Sequence, residues 1–184
     1  MKPETLIQRL HQHRQWVNRK LLAAASALSD EQLRQSFPIG QGSIWQSLVH
    51  LLAAEYVWLE ALHGDENPVL PGDLPGRVPG NQLAGEGIRS FDDLRGRWEA
   101  LMERWDRYVS TLTSEALEDT VYKRSSFKPE QRFATRRSDV LLHVCTHSQY
   151  TTAQIINMLR QVGVEKLPDP MLISMARQEA AGPS

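Results

Sequence analysis

Apolar residues recur along this chain with the three-and-four spacing of helices in four long segments. In the first, Leu6, Leu10, Val17, Leu21, Leu22 and Ala25 make a stripe that predicts a helix from about residue 3 to residue 28, with Pro3 at an early helical position. "LSDEQL" interrupts the pattern, and Ser29 or Asp30 is a suitable N-cap for a short helix. "SFPIGQG" reads as a loop, and a second long helix opens at Ser43. Its stripe is Leu48, Leu51, Leu52, Tyr56, Leu59 and Leu62, and Gly64 stops it. The third helix follows Ser90 and Asp93, spaced as a capping box, and turns Leu94, Trp98, Leu101, Met102, Trp105 and Val109 inward to about Leu112. The fourth runs from about residue 138 to residue 162, ending near Gly163.

Between these segments the pattern changes. Residues 65–89, "DENPVLPGDLPGRVPGNQLAGEGIR", have recurrent Pro and Gly and no period, which predicts a long surface loop, mobile relative to the helices and functional in role. "TVYKR" and "QRFAT" alternate as a short β-hairpin would. "DPMLISMARQEA" is a candidate terminal helix. Four helices of about 20 residues, with no βαβ alternation and one long crossover, predict an all-α four-helix bundle filling a single domain, residues 1–184.

Composition narrows the function without naming it. Apolar residues make up 41% and charged residues 23%, and the net charge of -1 argues against broad electrostatic binding to nucleic acid or anionic membrane. No apolar run is long enough for a membrane span, and no apolar leader is visible, so the expected setting is cytoplasmic. The single cysteine, Cys145, excludes an internal disulfide and a cysteine-rich zinc site. Positions 123–137, "KRSSFKPEQRFATRR", have six Lys or Arg against one Glu: a solvated hairpin, or a docking surface for an anion.

The histidines hold the candidate chemistry. His143 and His147 stand four apart, on one helical face, in the apolar-flanked "VLLHVCTH". Two imidazoles so placed can converge on one ion, and a third ligand must come from another helix. His50, in "SLVHLLAAEYVW", is the best candidate for it. The alternative for each is a buried neutral histidine bonded to a carbonyl or a Tyr. "HVCTH" lacks the Glu of the zincin motif, so no general base of that kind is present. His11, His13 and His63 are expected at the surface, Glu55 on the solvent face, and Cys145 as a small buried hydrophobe.

Taken in order, these segments resemble the DinB-like (DinB/YfiT) superfamily of metal-binding four-helix bundles. The resemblance lies in "HRQWVNRKLLAAASALSDEQL", "GSIWQSLVHLLAAEYVWLEALHG", "VLLHVCTHSQYTTAQIINMLRQVGV" and "KLPDPMLISMAR", almost end to end. It implies metal ligands at His50, His143 and His147, and a divalent ion such as Zn, Ni, Fe or Mn. The last helix of the family carries a third histidine and then Arg-Gly-Gln; here those positions are Thr151, Thr152, Ala153 and Gln154. Family members with a known reaction include thiol-dependent transferases and isomerases, so the resemblance implies a small-thiol-dependent transferase or a hydrolase, a small-molecule substrate and a homodimer. It equally allows a non-catalytic, stress-related bundle whose metal site has degenerated.

Overall fold

The computed structural model describes residues 2–85 and 87–182. Its long helices are α1 (Pro3–Ala25), α3 (Ile44–Leu62), α4 (Phe91–Ser110) and α5 (Arg137–Gln161); two shorter ones are α2 (Asp30–Arg34) and α6 (Leu172–Ala181). An antiparallel hairpin, β1 (Thr120–Arg124) and β2 (Arg132–Arg136), precedes α5, with Val121 opposite Thr135 and Lys123 opposite Phe133. The predicted four-helix bundle is thus present, with its crossover loop and its hairpin.

Local chemistry sets the helix starts. Ser29 and Gln32 form a reciprocal capping box on α2. Ser43 accepts the amide of Gln46 at the start of α3, and Ser90 accepts that of Asp93 at the start of α4. The box at Ser90 closes differently from the pattern, because the Asp93 carboxylate accepts from the amide of Arg89. Aspartate is one methylene shorter than glutamate, and it meets the preceding residue instead of the cap.

In the bundle α5 packs between α1 and α3, and α4 fills the opposite side between the same two helices. The inward stripes of α3 and α4 are as the periodicity predicts, apart from Tyr56 at the edge; Trp98 and Trp105 are fully buried. On α1 the sequence misleads. Leu6 is 52% exposed, and the buried face is Ile7, His11, Arg14, Asn18, Leu21, Leu22 and Ala25. Three polar residues interrupt the stripe, and each has a partner inside.

That partner chemistry centres on Glu55, which is 1% exposed and lies in the core, not on the solvent face. Arg14 forms an ion pair with it, Asn18 Nδ2 donates to it at 2.7 Å, and Trp98 Nε1 donates at 3.2 Å. The Arg14 guanidinium also lies 4.8 Å from the Trp105 ring centroid. A buried carboxylate tolerates this site because a cation and two further donors satisfy it. His11 and His13 are likewise interior, contrary to expectation. His11 lies 4.9 Å from the Trp105 ring with Nε2 3.2 Å from the Leu141 carbonyl, and His13 Nε2 lies 2.9 Å from the Pro170 carbonyl. His63 is exposed as expected, and Cys145 is buried.

The 65–89 loop has its own hydrogen-bonded centre, which composition did not show. Asp73 is buried; one carboxylate oxygen accepts from Gly80 N at 2.6 Å, the other from Gln82 N at 2.9 Å and Gln82 Nε2 at 2.6 Å. Asn81 adds bonds to Leu74 and Val78. These contacts fold the loop onto α3.

Candidate metal centre

Histidines 50 and 147 meet between α3 and α5. Their Nε2 atoms are 3.3 Å apart and their rings stand edge to face, centroids 5.2 Å apart. The helix packing makes the pair: both are half-buried on the facing sides of adjoining helices. His143, one turn before His147, lies beside it with ring centroids 5.8 Å apart. It is exposed, and it also stands edge-on to Trp58 at 5.3 Å. Thr151, one turn the other way, is 2% exposed. The structure therefore joins His50 to the middle member of the histidine run, with His143 toward solvent and Thr151 toward the interior. Among the described residues no three His, Cys, Asp or Glu side chains converge as a ready ligand set.

The loop fixes the orientation of His50. Its Nδ1 lies 2.8 Å from the Pro79 carbonyl oxygen. A carbonyl only accepts, so Nδ1 carries the proton, and the Nε2 of the neutral ring holds a lone pair aimed at His147. Gly80 makes the approach possible. Its φ is +86°, and a Cβ there would lie 2.7 Å from His50 Cα and 2.8 Å from His50 N. Nothing in the helical periodicity pointed to Pro79, Gly80 or the Asp73 clasp; the only signal was a Pro-Gly turn in a loop too long to be neutral.

Electrostatics favour the uncharged forms of His147 and His143. Burial first, then the neighbouring His50 and His143, push His147 down to about 4. Burial lowers His143 as well. Uncharged imidazoles with outward lone pairs are what a metal requires. The Nε2 separation also fits: two donors at about 2.0–2.1 Å from a tetrahedral ion lie about 3.3–3.4 Å apart. The proton of His50 on a backbone carbonyl is the usual outer-sphere arrangement of a metal-ligating histidine. Cys145, raised to about 12 by burial, is neither a thiolate nucleophile nor part of this cluster.

Two side chains adjoin the histidines in a way that the sequence did not show. Trp58 shares its ring with His143 and with Lys123, whose Nζ is 5.4 Å from the indole centroid. Lys123 comes from β1, so only the docking of the hairpin on α3 brings it here.

A bundle of four long helices with a histidine pair set between two of them is the class that fold and site define. The chain belongs to the DinB superfamily, whose profile matches residues 8–155. Among solved structures it is similar to YfiT from Bacillus subtilis, described as a probable metal-dependent hydrolase with an unusual four-helix bundle topology. The two share 21% identity and a TM-score of 0.60, over 88% of this chain and 87% of that one. No curated protein sequence matches the chain at a significant level. Among the described residues no helix is long and apolar enough to cross a membrane.

Proposed function

We propose that this protein is a metal-dependent enzyme of hydrolase or small-thiol transferase type, with a divalent ion held by His50 and His147 and His143 as the third donor. The observation that carries this is the facing Nε2 pair at 3.3 Å with His50 Nδ1 already anchored on Pro79. A Zn, Ni, Fe or Mn ion there would supply a Lewis acid, or lower the pKa of a bound water or thiol. The chain's own contribution is positioning. Pro79 fixes the tautomer of His50, burial keeps His147 neutral, and Trp58 supports His143 at the solvent side. The description of YfiT as a probable metal-dependent hydrolase supports the same reading.

The second reading is a non-catalytic bundle with a degenerate site. Two observations favour it: Thr151 stands where the family has a histidine, and 3.3 Å also suits a direct Nε2–H···Nε2 hydrogen bond. Metal analysis of freshly purified protein separates the two. Stoichiometric divalent metal in the wild type and none in His50→Ala is the expected result. Metal-free protein that also takes up no zinc on titration overturns the proposal.

A further inference from the structure

We propose that the cleft between the 65–89 loop and the hairpin is an anion subsite, where Lys123 binds the carboxylate of a small apolar or aromatic acid. The place of this subsite in catalysis rests on the metal-centre reading, but the binding itself does not.

The charge balance of the cleft points to an anion. Arg77, Lys123 and Arg124 line it against a single carboxylate, Asp73. Both Asp73 oxygens are already occupied by Gly80 and Gln82. None of the three cations has an ion-pair partner among the described residues. Lys123 is the inner one: half-buried, it donates to the Arg124 carbonyl at 3.1 Å and to Ser126 Oγ at 3.2 Å. Asp65 lies beyond ion-pair distance, and burial outweighs its effect, lowering the pKa of Lys123. A cation that has lost water without gaining a counterion is a standing attraction for an anion. Ser126 accepts from Lys123 and keeps its own hydroxyl proton to donate to the same guest.

The walls give the rest of the ligand. Val57, Trp58, Val121, Phe127 and Phe133 line the two adjoining parts of the cleft, which share Lys123–Ser126 and measure 80 and 260 Å³. Each part is below the roughly 300–1,000 Å³ of sites for drug-sized molecules and the two together only reach its lower end, so the guest is a one-ring or short-chain acid. A carboxylate suits the donors better than a phosphate does. The Arg124 guanidinium is held by the Pro129 carbonyl, and the turn amides of Phe127 and Lys128 are bonded to Ser125 Oγ. Arg77 lines the cleft as an exposed side chain, so the half-buried donors are one ammonium and one hydroxyl, without the buried fork or nest that phosphate sites employ. Trp58 links the two sites: its indole meets Lys123 and, at 5.3 Å, the ring of His143. Trp58 thus stands between Lys123 and His143.

The test is calorimetric titration with phenylacetate and phenylacetamide of wild type, Lys123→Met, Lys123→Arg and His147→Ala, each with zinc and after chelation. Methionine keeps the aliphatic stem on Trp58 and removes the charge. Phenylacetate is expected to bind wild type about tenfold more tightly than the amide, the effect of one charged hydrogen bond. That preference should vanish in Lys123→Met and survive in Lys123→Arg, in His147→Ala and after chelation. Equal affinity for acid and amide, or no saturable binding, overturns the proposal; this comparison uses wild type alone, so a misfolded variant does not spoil it. Binding lost in His147→Ala but kept in Lys123→Met would make the acid a ligand of the histidine centre, and would overturn it too. Phosphate displacing phenylacetate at lower concentration would overturn the carboxylate assignment. Failure of zinc uptake with the acid preference intact would refute the metal centre and leave the subsite standing.

Discussion

The Nε2 atoms of His50 and His147 face each other at 3.3 Å across α3 and α5, while His143 stands at the solvent side and Thr151 is buried one turn deeper. This arrangement ranks the ligands. Zinc titrations of His50→Ala and His147→Ala should show affinity reduced by more than about a hundredfold, and His143→Ala by about tenfold. Thr151→His should not improve affinity tenfold, since residue 151 lies two turns, about 12 Å along the axis, from residue 143. An unchanged affinity in His143→Ala, or a large gain in Thr151→His, would move the ion toward the C-terminal half of the run.

The loop should act on the metal through a single carbonyl. Gly80→Ala places a methyl against the His50 backbone at a φ that alanine resists, so the loop must lift and take the Pro79 carbonyl with it. Zinc affinity is expected to fall about 10–100-fold, the usual cost of losing an outer-sphere partner, with helix content by circular dichroism unchanged. Wild-type affinity in Gly80→Ala would show that His50 is oriented without the loop.

The Arg14–Glu55 pair makes a stability prediction away from the site. Glu55→Leu leaves a buried guanidinium without its carboxylate and should cost about 3–5 kcal/mol in urea unfolding. Arg14→Met with Glu55→Leu should recover part of that, because replacing both members of a buried pair with apolar residues is often neutral or stabilising, while Asn18 Nδ2 and Trp98 Nε1 still lose their acceptor. A double variant no more stable than Glu55→Leu would show that the pair, and not only its completeness, holds α1 to α3.

His11 predicts acid sensitivity. Burial first, then Arg14, hold its pKa well below the ordinary 6.5, so the folded state binds fewer protons than the unfolded state. The stability from a neutral His11 is therefore complete above about pH 6.5 and is lost as pH falls below it. His13 and His143 shift in the same direction. In urea unfolding between pH 7.5 and 5, His11→Phe should flatten the decline by up to about 1.4 kcal/mol per pH unit, one proton's worth. Identical slopes in wild type and variant would place the acid sensitivity elsewhere.

Helix number, helix boundaries and the inward faces of α3 and α4 were legible in the sequence, because each follows from the chain's own period and from caps three residues apart. His50, His143 and His147 were legible as candidates for the same reason: i,i+4 spacing on one apolar-flanked helix, and one histidine on another. The buried face of α1 was not legible. His11, Arg14 and Asn18 look like solvent positions until Glu55 and Trp105 arrive from other helices to satisfy them. Glu55 was misplaced on the same ground, since burial of a charge depends on partners 41 and 37 positions away in the chain, at Arg14 and Asn18. Which histidines meet, and what holds them, was likewise a tertiary matter. Helical period fixes the side a residue faces, but only the packing of α3 on α5 aligns His50 with His147, and only the fold of the 65–89 loop around Asp73 brings a carbonyl to His50.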